Sequence, residues 1–134
     1  MLRSKCIIAP KDESDWLRIS IMSRHTLNDW KTPDTRITPD KYDSHLVEFA
    51  PLAPMVWKYY RKEIDFETYR NEYLNYLREE VKEQVIDLIS IAMKVDITLM
   101  CIEESPEFCH RKMLLDYASE LAQELMVGIK VDIK

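Results

Sequence analysis

Seven residues, Asp96–Ile102 (DITLMCI), constrain this chain more than any others. They form a nearly continuous apolar run, the pattern of a strand buried on both faces at the centre of a parallel sheet. Their surroundings agree. Before them, Glu80–Lys94 places Val81, Val85, Leu88, Ile89 and Ala92 at helical spacing. After them, Ser105–Leu125 reads as a long helix, with Ser105 as N-cap, Pro106 at the first helical position and Glu107 at the positive helix end. Val127–Ile133 then alternates, with Ile129, Val131 and Ile133 on one face, and reads as a closing strand.

Helix, strand, helix, strand is an α/β unit. Right-handed crossovers then predict a three-layer, Rossmann-like domain, with a mostly parallel central sheet and helices on both faces. At 134 residues, 1–134 read as one α/β domain. The N-terminal half reads less sharply. Arg3–Ala9 is a short strand ended by Pro10, Lys11–Asp15 a polar turn, and Trp16–Ser23 a second strand with Leu17, Ile19 and Ile21 alternating. Arg24–Ser44 is a long polar stretch with Pro33 and Pro39, of the kind that often carries function. His45–Ala50 is an apolar run of either type. Pro51–Arg61 and Phe66–Glu79 read as helices, the second with Phe66, Tyr69, Tyr73 and Leu77 on one stripe.

Composition removes several function classes. Hydrophobic residues make up 46%, enough for a core without disulfides. No run has the length of a membrane span, and MLRSKCIIAP turns charged too early for a signal peptide. Three cysteines without repeating spacing predict reduced thiols in a cytoplasmic protein. A net charge of −5 argues against general nucleic-acid binding. The single glycine, Gly128, allows neither a Walker A loop nor a dinucleotide fingerprint, so no cofactor is expected. Any anion must be held by side chains and helix N-termini.

The segment Cys101–Arg111 is the leading candidate site. Cys101 ends the predicted central strand, where open α/β sheets bind ligands. Taking Ala118 as the centre of the buried helix face and stepping about 100° per residue, Leu114, Leu115, Leu121, Ala122 and Leu125 fall within about 60° of it. On the same wheel Arg111 falls at about 20° and Cys109 at about 180°, the outward side, with His110 on the flank. An arginine aimed at the sheet must be paired or face a polar cleft. Arg111 therefore either holds an anionic group or joins an internal carboxylate such as Glu48 or Glu103. Cys101, Cys109 and His110 are the candidates for thiol or proton chemistry. Against that stand an inert core role for Cys101 and a surface thiol at Cys109.

Arg24 and His25 follow the second predicted strand and would join Arg111 at one sheet edge. Together they would form a basic pocket for phosphate or carboxylate in an acidic protein; solvated loop charge is the rival reading. His25, His45, Cys101, Cys109 and His110 could supply metal ligands, but the cysteine spacing does not fit a compact zinc knuckle, and no metal is expected. Trp57, Tyr59, Tyr60, Tyr69, Tyr73 and Tyr76, interleaved with Lys58, Arg61, Lys62 and Arg70, read as core aromatics beside a solvated face rather than as a base-stacking surface.

Three blocks carry a family resemblance. They are Trp16–Leu27 (WLRISIMSRHTL); His45–Pro51 (HLVEFAP) with the aromatic helices holding Tyr69, Tyr73 and Leu77; and Asp96–Glu103 (DITLMCIE) followed by Cys109-His110-Arg111. In this order they resemble the bacterial and archaeal family catalogued as domain of unknown function 488, over about residues 3–125. The resemblance implies a compact three-layer α/β fold and a site near Arg24 and Arg111, but no reaction. The functional expectation is a small cytoplasmic protein that binds an anionic small molecule or nucleotide at the C-terminal strand ends, with thiol-dependent catalysis as its enzymatic form. The alternative is a non-catalytic nucleotide- or protein-binding module.

Overall fold

The computed structural model describes residues 1–27, 29, 31–102 and 109–132. Five strands form one parallel sheet: β1 (Leu2–Cys6), β2 (Leu17–Ser20), β3 (Ser44–His45), β4 (Ile97–Cys101) and β5 (Val131–Asp132), in the order β3-β2-β4-β1-β5. The predicted central strand is central. β4 lies between β2 and β1, and all five of its residues are buried. Ile97, Leu99 and Cys101 join the larger core, whereas Met100 packs with Ile7 and Ile37 on the opposite face.

Among the described residues four α-helices cover the first face: α1 (Ala53–Tyr60), α2 (Phe66–Glu80), α3 (Lys82–Ala92) and α4 (His110–Glu124). They pack on one another, and α4 lies over β1 and β4. The expected second helical layer takes a lesser form. Two single 3-10 turns, Glu13–Asp15 and Pro39–Lys41, and the loops around them cover the other face. Handedness explains the division. The chain moves one way along the sheet from β1 to β2 to β3 and the other way from β3 to β4 to β5, so right-handed crossovers fall on opposite faces.

That loop layer is tied down by buried and partly buried polar contacts. Thr98 Oγ1 donates to the Asp15 carbonyl at 2.9 Å. Asp15 accepts from Lys5 Nζ at 2.7 Å and from the Asp12 amide at 2.9 Å. Arg18, buried in β2, grips Asp43 through Nε and Nη2 and donates to the Asp40 carbonyl at 2.6 Å. Residues 24–44 are therefore not a free loop. They contain a 3-10 turn and buried Asp34 and Ile37, with an isolated bridge between Thr26 and Pro33. Their buried positions follow no period, which is why the sequence pattern hid them.

Element ends differ from expectation. β1 and β2 are shorter than predicted, and β2 is buried at Arg18, Ile19 and Ser20 rather than on alternate residues, because both sheet faces are covered. The run His45–Ala50 splits into the end of β3 and a 3-10 turn at Val47–Phe49. Tyr73 and Tyr76 of α2 hold that turn, donating to the carbonyls of Phe49 at 2.6 Å and Glu48 at 2.8 Å. The final strand is only Val131–Asp132 among the described residues, and Ile133 lies outside them. Among the described residues no helix is long and apolar enough to cross a membrane.

Candidate functional site

The site lies where β2 and β4 end. From these neighbouring strands the chain departs towards opposite faces, and such divergence opens a crevice beyond the strand ends. A cleft of about 900 Å³ occupies this place. Met22, Arg24, Cys101 and His110 line it from the strand-end side, and Trp57 and Tyr60 from α1.

Cys101, the last residue of β4, is fully buried in the wall of that cleft. It is paired with Cys109 in a disulfide, which corrects the expectation of reduced thiols for these two cysteines and leaves it standing for Cys6. The outward position expected of Cys109 is incorrect: this residue is 1% exposed. The helix begins at His110, and Cys109 precedes it as an N-cap with extended backbone, φ −102° and ψ 143°. Helical stepping cannot be carried back through such a residue. The predicted start, with Ser105 as cap, Pro106 and Glu107, lies outside the described residues.

His110 spans the gap between α4 and β2. Its Nε2 is 2.7 Å from the Ile21 carbonyl. A carbonyl only accepts, so Nε2 carries a proton and donates it there. Nδ1 lies 3.9 Å from the Cys109 sulfur. The Tyr73 ring meets the imidazole edge to face, with centroids 5.8 Å apart and planes at 84°.

Arg111 is fully buried, on the face that the helix phase predicts. Its Nη1 lies 3.1 Å from Cys101 Sγ and 3.8 Å from Cys109 Sγ. Of the two carboxylates considered as partners, Glu48 forms no ion pair with it among the described residues, and Glu103 lies outside them. Arg111 does not line the cleft; it stands one contact behind, against sulfur. A guanidinium in that position favours a thiolate over a thiol.

Arg24 lines the cleft, its Nε donating to the Thr26 carbonyl at 3.4 Å. Sequence reading passed over Arg36 and Asp34, which line it too. Arg36 grips Asp34 bidentately at 3.0 and 2.8 Å, and this holds the Asp34 carboxyl down at about 2. Nothing in the periodicity of 24–44 marks them. His25 is not among the lining residues. Its Nε2 is 2.6 Å from Ser20 Oγ and its ring stacks on His45 at 4.1 Å. Burial, then the nearby His45, lowers its pKa to about 4, so it is neutral at pH 7.

The aromatic helix also differs from expectation. Trp57 and Tyr60 of α1 are 38% and 60% exposed on the cleft, Tyr69 of α2 is buried in its wall, and Tyr73 is core. The aromatic residues of α1 and α2 thus serve both core and cleft. As for metals, the donor atoms of Cys101, Cys109 and His110 lie within 4.8 Å of one another. The Arg111 cation beside both sulfurs opposes a second cation there.

A family model described as the active DUF488-N3 subclade matches residues 2–122. No curated protein and no solved structure matches the chain.

Proposed function

The chain belongs to the DUF488 family, through that subclade, and we propose that it is a cytoplasmic enzyme acting on an anionic small molecule, in first place a nucleotide, by thiol-dependent chemistry. The observation that carries the reading is the joint lining of one cleft by Arg24, Arg36, Cys101, His110, Trp57 and Tyr60. Arg24 supplies positive charge for a phosphate, whereas the charge of Arg36 is matched by Asp34. The exposed faces of Trp57 and Tyr60 suit a stacked base. The cleft volume lies within the range of small-molecule sites. The description of the matching subclade as active favours an enzyme over a non-catalytic module.

In this reading Arg24 meets the anion, Cys101 meets the reacting group, and His110 and Arg111 prepare the sulfurs. Isothermal titration with nucleoside monophosphates and with inorganic phosphate tests it. Both are expected to bind, and Arg24→Ala to weaken both about tenfold. Absence of binding by every nucleotide and by phosphate, or full affinity in Arg24→Ala, would sink the proposal.

A further inference from the structure

A second thiol beside the first is a poor arrangement for simple nucleophilic hydrolysis, because the neighbour intercepts whatever oxidises or sulfenylates the nucleophile. We infer that Cys101 and Cys109 form a working dithiol–disulfide couple, with Cys101 the thiol that meets the substrate and Cys109 the thiol that resolves it. The substrate class is an anionic organic disulfide. The inference rests on the proposed cleft only in taking the cleft as the substrate's entrance.

Four observations assign the roles. The two sulfurs are paired in the structure. Cys101 lines the cleft and Cys109 does not. Arg111 Nη1 is nearest the Cys101 sulfur, favouring its thiolate. His110 Nδ1 lies 3.9 Å from Cys109 Sγ while Nε2 donates to the Ile21 carbonyl, so in its neutral form the ring is placed to take the Cys109 proton at Nδ1.

The Cys101 thiolate attacks one sulfur of the substrate disulfide; a Cys101–substrate disulfide forms, and the other half leaves as a thiolate. Cys109 gives its proton to His110 Nδ1 and attacks the Cys101 sulfur. The Cys101–Cys109 bond forms and the second half leaves as a thiolate. The substrate is reduced by two electrons and the cysteine pair oxidised by two. An external dithiol returns the pair to its reduced state.

Cys6 is the internal control. It lies opposite Cys101 on β1, its sulfur bonded to the Ile102 carbonyl at 3.2 Å, and it is the free cysteine of the structure. The test equilibrates the full chain with reduced and oxidised glutathione, alkylates with N-ethylmaleimide and reads peptide masses. Under oxidising ratios Cys101 and Cys109 are expected to be linked and Cys6 alkylated. Cys109→Ser is expected to stop at a glutathione adduct on Cys101. Cys101→Ser is expected to form an adduct on Cys109 at least about tenfold more slowly. His110→Asn is expected to slow resolution about a hundredfold at pH 7, with recovery at higher pH, which a purely structural role does not give.

A stable glutathione adduct on the wild-type chain without the internal bond overturns the inference. So does a Cys6–Cys101 link, or stoichiometric zinc bound by the reduced pair in place of oxidation. Nucleotide binding measured on the same samples separates the two readings. Binding without the internal disulfide removes the couple and leaves the cleft proposal standing; the disulfide without binding does the reverse.

Discussion

Arg111 Nη1 rests 3.1 Å from the sulfur of Cys101, ten positions earlier in the chain, with both residues fully buried. The contact places a cation against sulfur inside the core, at the junction of β4 and α4. Arg111→Met keeps the length and removes the charge. In the reduced protein it should slow iodoacetamide alkylation of Cys101 at pH 7 about tenfold, with the rate restored at higher pH. Arg111→Ala also leaves a void and should cost about 2–4 kcal/mol in urea denaturation.

His25 makes stability depend on pH. An unfolded histidine titrates near 6.5, whereas burial and His45 hold the folded His25 at about 4. The unfolded chain therefore takes up the proton first as pH falls. The stabilisation is complete above about 6.5 and is lost progressively down to about 4, amounting after solvent screening to about 1 kcal/mol. Denaturation midpoints between pH 7 and 4 should show this slope, and His25→Phe should flatten it.

Tyr73 is completely buried and donates to the Phe49 carbonyl at 2.6 Å. Tyr73→Phe leaves that carbonyl without its donor and should cost about 1–2 kcal/mol. Unchanged urea midpoints would show that the 3-10 turn at Val47–Phe49 is held by packing alone.

Two helices end in Schellman turns with a side chain where glycine is normally preferred. After α4, Val127 and Met126 donate back to Ala122 and Gln123, with Met126 at φ 58°. After α1, Glu63 and Lys62 donate to Lys58 and Tyr59, with Lys62 at φ 61°. The Met126 side chain is 93% exposed and contributes little packing. Met126→Gly should therefore raise stability by about 0.5–1 kcal/mol by thermal melting.

Trp57 separates the stacking and phosphate components of the proposed ligand. Trp57→Ala should lower affinity for a nucleoside monophosphate about tenfold, the order of one lost base stack. Affinity for inorganic phosphate should not change. An equal loss for both would place the base elsewhere in the cleft.

Much of the architecture was legible because burial leaves a period in the sequence. β4 is apolar on consecutive residues since both sheet faces are covered, and α2 and α3 carry the stripe that packs inward. The loop cover was not legible, because Asp34 and Ile37 are buried by irregular chain with no repeat to read. Nor does an aromatic stripe disclose whether it faces core or cleft. Tyr73 and Trp57 belong to adjoining helices of similar character, yet one is buried and the other 38% exposed.

The sequence by itself determined a central parallel strand, its flanking helices, the absence of a glycine-rich phosphate loop, and an arginine on the inner face of the last helix. Each depends on residues near one another in the chain. Tertiary structure decided where Cys109 lies, because helix phase has meaning only from the residue where the helix begins, and that residue is His110. It also decided what Arg111 faces, and that His110 meets the Ile21 carbonyl 89 residues away. Such contacts arise when the ends of β2 and β4 are laid side by side, which no local pattern specifies.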